Sequence, residues 1–184
     1  MIMKKVFIFL AEGFEETEAV ATMDVMLRGE LDVTSVSITG NLLVTGAHGI
    51  AVNADTLFED ADFSSGDLLV LPGGMPGASQ LNAHEGVKSL LKQYAASGKK
   101  IAAICAAPLV LGGLDLLQGK NATAYPGFES TLKGAAYINS PVVKDGNIIT
   151  GRGPGFAFQF GLAIVEELQG KAKADETAGG LLLQ

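Results

Sequence analysis

The chain has 184 residues, 48% of them hydrophobic, and a mean hydropathy of +0.33, which excludes a disordered protein and suits one domain over residues 1–184 with a sizeable core. Its net charge of −7 at pH 7 argues against nucleic acid or an anionic membrane as the main partner, and no nucleic-acid groove is evident. A single cysteine and two histidines exclude a disulfide framework and a dense zinc site, so no metal or cofactor is expected, and a free thiol fits the reducing cytoplasm.

The start, Met1-Ile2-Met3-Lys4-Lys5, leads into an apolar run at residues 6–10 that is too short for a signal peptide and is followed by acids rather than a cleavage site. The run reads as a buried strand, and residues 15–28 as a helix. Glu15 and Glu16 read as first-turn acids that complement the helix dipole. Glu18 does not fit that reading. At about 100° per residue it shares a face with Phe14, Ala21 and Val25, whereas Thr17, Asp24 and Arg28 form the solvated arc. A carboxylate on an apolar face must be paired or protonated, and a raised pKa would make it a hydrogen-bond donor or general acid–base near neutral pH. Ala19, Val20, Met23, Met26 and Leu27 form a second apolar arc, which a helix buries either deep in the fold or against a second copy, so a homodimer is expected.

Residues 31–38 alternate like a strand, Gly40-Asn41 marks a turn, and residues 42–44 and 50–52 suggest short strands around Gly46-Ala47-His48-Gly49, where His48 reads as a loop residue. Residues 67–71 read as another buried strand, ending at Pro72-Gly73-Gly74-Met75-Pro76-Gly77. This loop lacks the lysine of a phosphate loop and the glycine spacing of a dinucleotide site. Gly73 and Gly74 would present backbone N–H groups to an oxyanion or an oxidised sulfur, or form an ordinary tight turn. His84 precedes an amphipathic helix over residues 86–97, with Val87, Leu90, Leu91 and Tyr94 on one face.

Residues 101–104 read as a central strand and 107–117 as an apolar helix, with Cys105 between them. Pro108 falls in the first turn of that helix, where its missing N–H costs nothing. A thiol at such a junction feels the positive end of the helix macrodipole, which favours thiolate. This is the arrangement of a nucleophile elbow with Cys in place of Ser; the alternative is an inert buried thiol. The apolar run over residues 101–114 is broken by Pro108, Gly112 and Gly113 and reads as a core segment, not a membrane span. Because the first strand leads into the helix bearing Glu18, that residue lies at the sheet edge of the elbow and is expected to hydrogen-bond Cys105.

Residues 122–124 suggest a short strand, and 142–143 and 148–150 flank the hairpin signal Asp145-Gly146-Asn147. Gly151-Arg152-Gly153-Pro154-Gly155 is a second glycine-rich loop, read as letting Pro154 line a pocket while Arg152 is held elsewhere. Residues 154–168 read as a helix, and the tail from residue 171 either docks as a terminal helix or frays. Strands alternating with helices imply an α/β fold with a parallel sheet covered on both faces and reactive groups at the carboxyl ends of the strands. A cysteine peptidase normally needs a His base, and neither His48 nor His84 neighbours the elbow in sequence, so that activity is disfavoured.

In combination and order, residues 11–18 (Ala-Glu-Gly-Phe-Glu-Glu-Thr-Glu), Val70-Leu71-Pro72-Gly73-Gly74, Ala102-Ala103-Ile104-Cys105-Ala106-Ala107-Pro108 and Arg152-Gly153-Pro154-Gly155 resemble the ThiJ/PfpI superfamily, in the branch of the Parkinson-disease (DJ-type) and bacterial YajL proteins. The resemblance covers about residues 4–170 and implies a flavodoxin-like three-layer sandwich, usually a homodimer. It implies Cys105 as catalytic nucleophile, Glu18 as its protonated partner, and Gly74 and Ala106 as backbone oxyanion donors, with Gly73, Tyr125, Pro154 and Glu15 around the pocket. The implied activities are glyoxalase III conversion of 2-oxoaldehydes such as methylglyoxal to 2-hydroxy acids, and deglycation of their protein or nucleotide adducts, under carbonyl and oxidative stress. Redox sensing through a cysteine sulfinate, or a chaperone role without turnover, is the alternative. Two departures matter. Ala106 stands where the peptidase branch has a His. Tyr125, before Pro126, stands where many glyoxalase-competent members have a His, and a phenol is a poor base at neutral pH. Glu18 is therefore the one strong acid–base candidate, and the Cys-Ala-Ala-Pro elbow resembles the YajL-like members.

Overall fold

The computed structural model describes residues 3–183. The chain runs β1 (Lys5–Leu10), α1 (Glu16–Arg28), β2 (Asp32–Ser37), β3 (Leu43–Thr45), β4 (Ala51–Asn53), β5 (Thr56–Leu57), β6 (Leu68–Leu71), α2 (Gly77–Ala83), α3 (Glu85–Ala96), β7 (Lys100–Ile104) and α4 (Pro108–Gly113). It continues through β8 (Asn121–Ala122), β9 (Ala136–Tyr137), β10 (Val142–Asp145), β11 (Ile148–Gly151), α5 (Ala157–Gln169) and α6 (Lys171–Gly180). Seven strands form one sheet in the order β10-β11-β7-β6-β1-β2-β5. All neighbours are parallel except the β10–β11 hairpin.

The apolar strands are explained by burial on both faces. Along β1, Val6 and Ile8 enter one core while Phe7 and Phe9 enter the other, as alternating side chains of a strand must. The first core is closed by Val25 and Met26 of α1 and by Phe160, Ile164 and Val165 of α5. The second is closed by Val87, Leu90, Leu91 and Tyr94 of α3 and by Val110 and Leu111 of α4. The result is the expected flavodoxin-like three-layer α/β sandwich with a mainly parallel sheet. Among the described residues no helix is long and apolar enough to cross a membrane.

Several boundaries differ from the sequence expectation. α4 stops at Gly113 rather than at residue 117 because Asp115 turns into the left-handed region (φ 59°) and the Leu116 N–H bonds back to the Leu111 carbonyl, a Schellman-type closure. The helix expected from Pro154 begins as a 3₁₀ turn, and α5 starts at Ala157. The tail docks as α6, burying Ala174 and Thr177. The hairpin closes through Gly146-Asn147, with Gly146 at φ 62° supplying the positive φ that a two-residue turn requires. On the second arc of α1, Ala19 and Met26 are buried, but Val20 is 45% and Leu27 56% exposed, so deep burial does not account for that arc.

Candidate active site

Cys105 follows β7 at φ 65°, a left-handed conformation that a non-glycine residue keeps only when its surroundings over-determine it. Its N–H donates to the Gly151 carbonyl and its carbonyl accepts the Tyr125 N–H, both at 2.9 Å. Pro108 occupies the start of α4, as expected. The strand–turn–helix elbow is therefore present, with Cys105 8% exposed.

The N–H groups of Gly74 and Ala106 hydrogen-bond to the Cys105 sulfur and favour thiolate. They do not win. Burial, followed by the charge of Glu18 and its hydrogen bond, pushes the thiol well above the usual range. The expectation that the helix macrodipole favours thiolate here is thus corrected: α4 has only six residues, and desolvation beside a carboxylate outweighs its N-terminal field.

Glu18 is 1% exposed on α1. Its Oε2 accepts the Gly73 N–H at 2.8 Å, and its Oε1 is buried with no backbone or hydroxyl partner. Burial raises its pKa to about 7, against the hydrogen bonds from the Cys105 thiol and Gly73; the charge of Glu15 adds to the rise. The pair titrates as a unit. With Glu18 charged, the thiol keeps its proton; with Glu18 protonated, repulsion gives way to a hydrogen bond donated to thiolate. The expected contact between Glu18 and Cys105 is present.

Gly73 has to be glycine because a Cβ there would stand 2.6 Å from the Cys105 Cβ and 2.7 Å from Glu18 Oε2. Its N–H is committed to Glu18, so of the two glycines only Gly74, at φ 88°, offers its N–H to the sulfur. Glu15 caps α1, accepting the Glu18 N–H at 2.6 Å, and its own N–H donates to the Gly73 carbonyl, tying the glycine loop to the helix.

Glu16 is not a solvated first-turn acid. It is 6% exposed and holds the loop at residues 46–50: Oε1 accepts the N–H groups of His48 and Ile50, and Oε2 lies 2.7 Å from His48 Nδ1. Burial raises the Glu16 pKa, but the hydrogen bonds from His48 and Ile50 lower it more, and the bond to Glu16 raises that of His48. Glu15, Glu16 and His48 bring one ligand atom each within 4.8 Å of one another, the one such cluster among the described residues that could offer ligands to a metal. No single segment of the sequence signals this clamp. His84 caps α3 through its Nδ1, which accepts the Val87 N–H at 3.1 Å, and takes no part in the elbow.

Tyr125 and Pro154 come together, as expected, on a cavity of about 240 Å³ that is also lined by Pro126, Arg152, Gly153, Gly155 and Phe156. Arg152 therefore lines the same cavity as Pro154 rather than being held elsewhere; the loop folds back between β11 and α5 and carries both. Gly73 and Glu15 lie instead on the Glu18 side. A larger cavity of about 490 Å³, between Phe63, Tyr94 and Lys99, adjoins the amino end of β7, away from Cys105.

The sequence model of the DJ-1/PfpI family matches residues 4–167. The chain is 44% identical over 184 residues to Protein DJ-1 homolog A of Arabidopsis thaliana, covering 98% of this chain and 47% of that protein, so it spans about half the length of this relative. It is 39% identical over 182 residues to Protein dj-1beta of Drosophila melanogaster, covering 98% and 97% of the two. It is 34% identical over 173 residues to the glutathione-independent glyoxalase DJR-1.2 of Caenorhabditis elegans, covering 94% and 92%. Among solved structures, Drosophila melanogaster DJ-1beta matches with a TM-score of 0.95 at 38% identity over 100% of both chains. Oxidized Toxoplasma gondii DJ-1 matches with a TM-score of 0.94 at 36% identity, covering 97% and 98%.

Proposed function

Because the chain belongs to the DJ-1/PfpI family, we propose that it is a Cys105-dependent glyoxalase or deglycase, acting on 2-oxoaldehydes such as methylglyoxal or on their protein and nucleotide adducts. The single observation that carries the reading is the buried pair of Glu18, with its pKa raised to about 7, and Cys105, whose sulfur already receives the N–H groups of Gly74 and Ala106. The name of the Caenorhabditis elegans relative supports the same chemistry.

Glu18 takes the thiol proton as Cys105 attacks the aldehyde carbon. The carbonyl electron pair moves onto oxygen, where the Gly74 and Ala106 N–H groups stabilise it, and the proton then neutralises the hemithioacetal alkoxide. Glu18 next removes the proton from the former aldehyde carbon and delivers it to the neighbouring carbon by way of an enediol, leaving a thioester on Cys105. Water cleaves the thioester, releasing the 2-hydroxy acid and restoring the thiol. The sequence is an internal redox isomerisation followed by hydrolysis, and it balances without an external oxidant. A base of pKa about 7 suits such proton traffic at neutral pH.

A second reading is favoured by the sulfur's surroundings. Two backbone N–H groups and a protonatable carboxyl would hold a Cys105 sulfinate, making the same site a redox sensor. For the assembly, we propose a homodimer through the face of α1 that leaves Val20 and Leu27 exposed, and a cytoplasmic setting that keeps the thiol reduced.

Methylglyoxal turnover by wild type, Cys105→Ser and Glu18→Gln separates the readings. Loss of activity in both variants supports a Cys–Glu glyoxalase. Absence of turnover by fully reduced wild type overturns it in favour of the sensor.

A further inference from the structure

Arg152 is one of two arginines in the chain. The other, Arg28, pairs with Asp24 at 2.8 Å, whereas the Nε–H of Arg152 is buried with no acceptor and no residue among those described forms an ion pair with it. A buried donor on a cation costs free energy until an acceptor reaches it. In a chain of net charge −7, a guanidinium left without a carboxylate is conspicuous.

Its place bears on the reaction. Arg152 lines the cavity of about 240 Å³ shared with Tyr125 and Pro154. Both sides of that cavity are tied to the nucleophile's backbone: the Tyr125 N–H donates to the Cys105 carbonyl, and Gly151, immediately before Arg152, accepts the Cys105 N–H. The Arg152 N–H in turn donates to the Pro141 carbonyl at 3.0 Å, which fixes where its side chain starts. The volume is below the roughly 300–1,000 Å³ of drug-sized sites and suits a small head group. A guanidinium fork matches carboxylate and phosphate oxygens.

We propose that Arg152 is an anion-recognition residue of the Cys105 site, so that the preferred carbonyl substrates carry a carboxylate or phosphate group. The proposal rests on Cys105 being the reacting group of the site. Arg152 receives the anionic end of the substrate and leaves the bond changes at the aldehyde carbon as described above.

The test uses the full chain and two alkylating reagents of similar shape, neutral iodoacetamide and anionic iodoacetate, with Cys105 modification followed by mass. The ratio of iodoacetate to iodoacetamide rates falls about five- to tenfold in Arg152→Gln and is largely kept in Arg152→Lys, since the charge-assisted contact is lost in one and retained in the other. In wild type at constant ionic strength, inorganic phosphate or acetate slows the iodoacetate reaction; the more effective anion identifies the preferred head group. An unchanged ratio in Arg152→Gln overturns the proposal whatever the added anions do. If that variant does not fold, absence of protection by either anion in wild type overturns it. Neither readout needs turnover, so failure to convert methylglyoxal sinks the glyoxalase reading alone, while resistance of Cys105 to both reagents sinks the premise of both.

Discussion

Glu18 holds its carboxyl against the Cys105 thiol at a point where only 1% of the glutamate and 8% of the cysteine meet solvent. Two negative charges side by side in such a place are strongly disfavoured, so one proton stays with the pair until well above neutral pH. Which of the two groups holds it decides whether the sulfur is thiol or thiolate.

Glu18→Gln removes the charge but keeps a hydrogen-bond donor. The thiolate absorbance of Cys105 should titrate at least about one unit lower than in wild type, because repulsion is replaced by a donated hydrogen bond. An unchanged midpoint would mean that the carboxyl does not control the thiol.

The same carboxyl sets a pH dependence of stability. Its pKa is about 7 when folded against a model value of 4.5, so the fold favours the protonated form. The contribution is present at low pH and is lost as pH rises from 4.5 through 7. Burial makes the full shift relevant, and the loss amounts to roughly 3 kcal/mol. Denaturant unfolding across that window should show Glu18→Gln gaining on wild type by this order; a constant gap between the two proteins would contradict it.

Glu16 and His48 make the opposite pair of shifts. Glu16 is lowered, so its contribution is present above 4.5 and fades as pH falls through its folded pKa. His48 is raised, so its contribution is complete below 6.5 and is lost as pH rises through its folded pKa. The amides of His48 and Ile50, which donate to Glu16, should therefore exchange more slowly between those limits than at alkaline pH, after correction for intrinsic exchange. In His48→Ala that extra alkaline loosening disappears. Equal corrected protection at both pH values in wild type would remove the clamp.

Gly73→Ala places a methyl 2.6 Å from the Cys105 Cβ and 2.7 Å from Glu18 Oε2. The methyl must push the two groups apart, at a cost of about 1–3 kcal/mol in stability. Thermal unfolding together with the thiol titration checks this: the variant should melt lower and its thiol should no longer respond to Glu18→Gln. Full stability with an intact response would show that the loop yields freely.

The parts of this site visible in sequence are those that break a local rule. Glu18 shows because helical periodicity puts a carboxylate among Phe14, Ala21 and Val25. Cys105 shows because an apolar strand meets Pro108 at a helix start. The Glu16–His48 clamp stays hidden because it joins residues 32 apart, each ordinary in its own segment. Arg152 departs from its expected place for a related reason: a glycine-rich loop does not reveal which way the chain folds back, and that is fixed only when β11 pairs with β7. The thiol pKa departs from the sequence expectation because the helix dipole is a local signal, whereas desolvation and the neighbouring carboxylate arise only once β7, α1 and the glycine loop are packed. The early stop of α4 depends on the left-handed turn at Asp115, which apolar periodicity through Leu114, Leu116 and Leu117 conceals.

The exposed face of α1 bears on assembly. Val20 and Leu27 are seven residues apart, two helical turns, and so lie one above the other on the surface, with Asp24 between them. Scattered exposed apolar residues need no explanation, but two aligned on the helix that carries Glu18 would tie assembly to the site. The double change Val20→Glu with Leu27→Glu leaves the buried face of α1 untouched, so the fold should persist and only association should suffer. Sedimentation velocity should show wild type as a dimer and the variant shifted to monomer, with circular dichroism unchanged. If both sediment as monomers, the apolar arc serves another partner; if both remain dimers, the interface lies on another face.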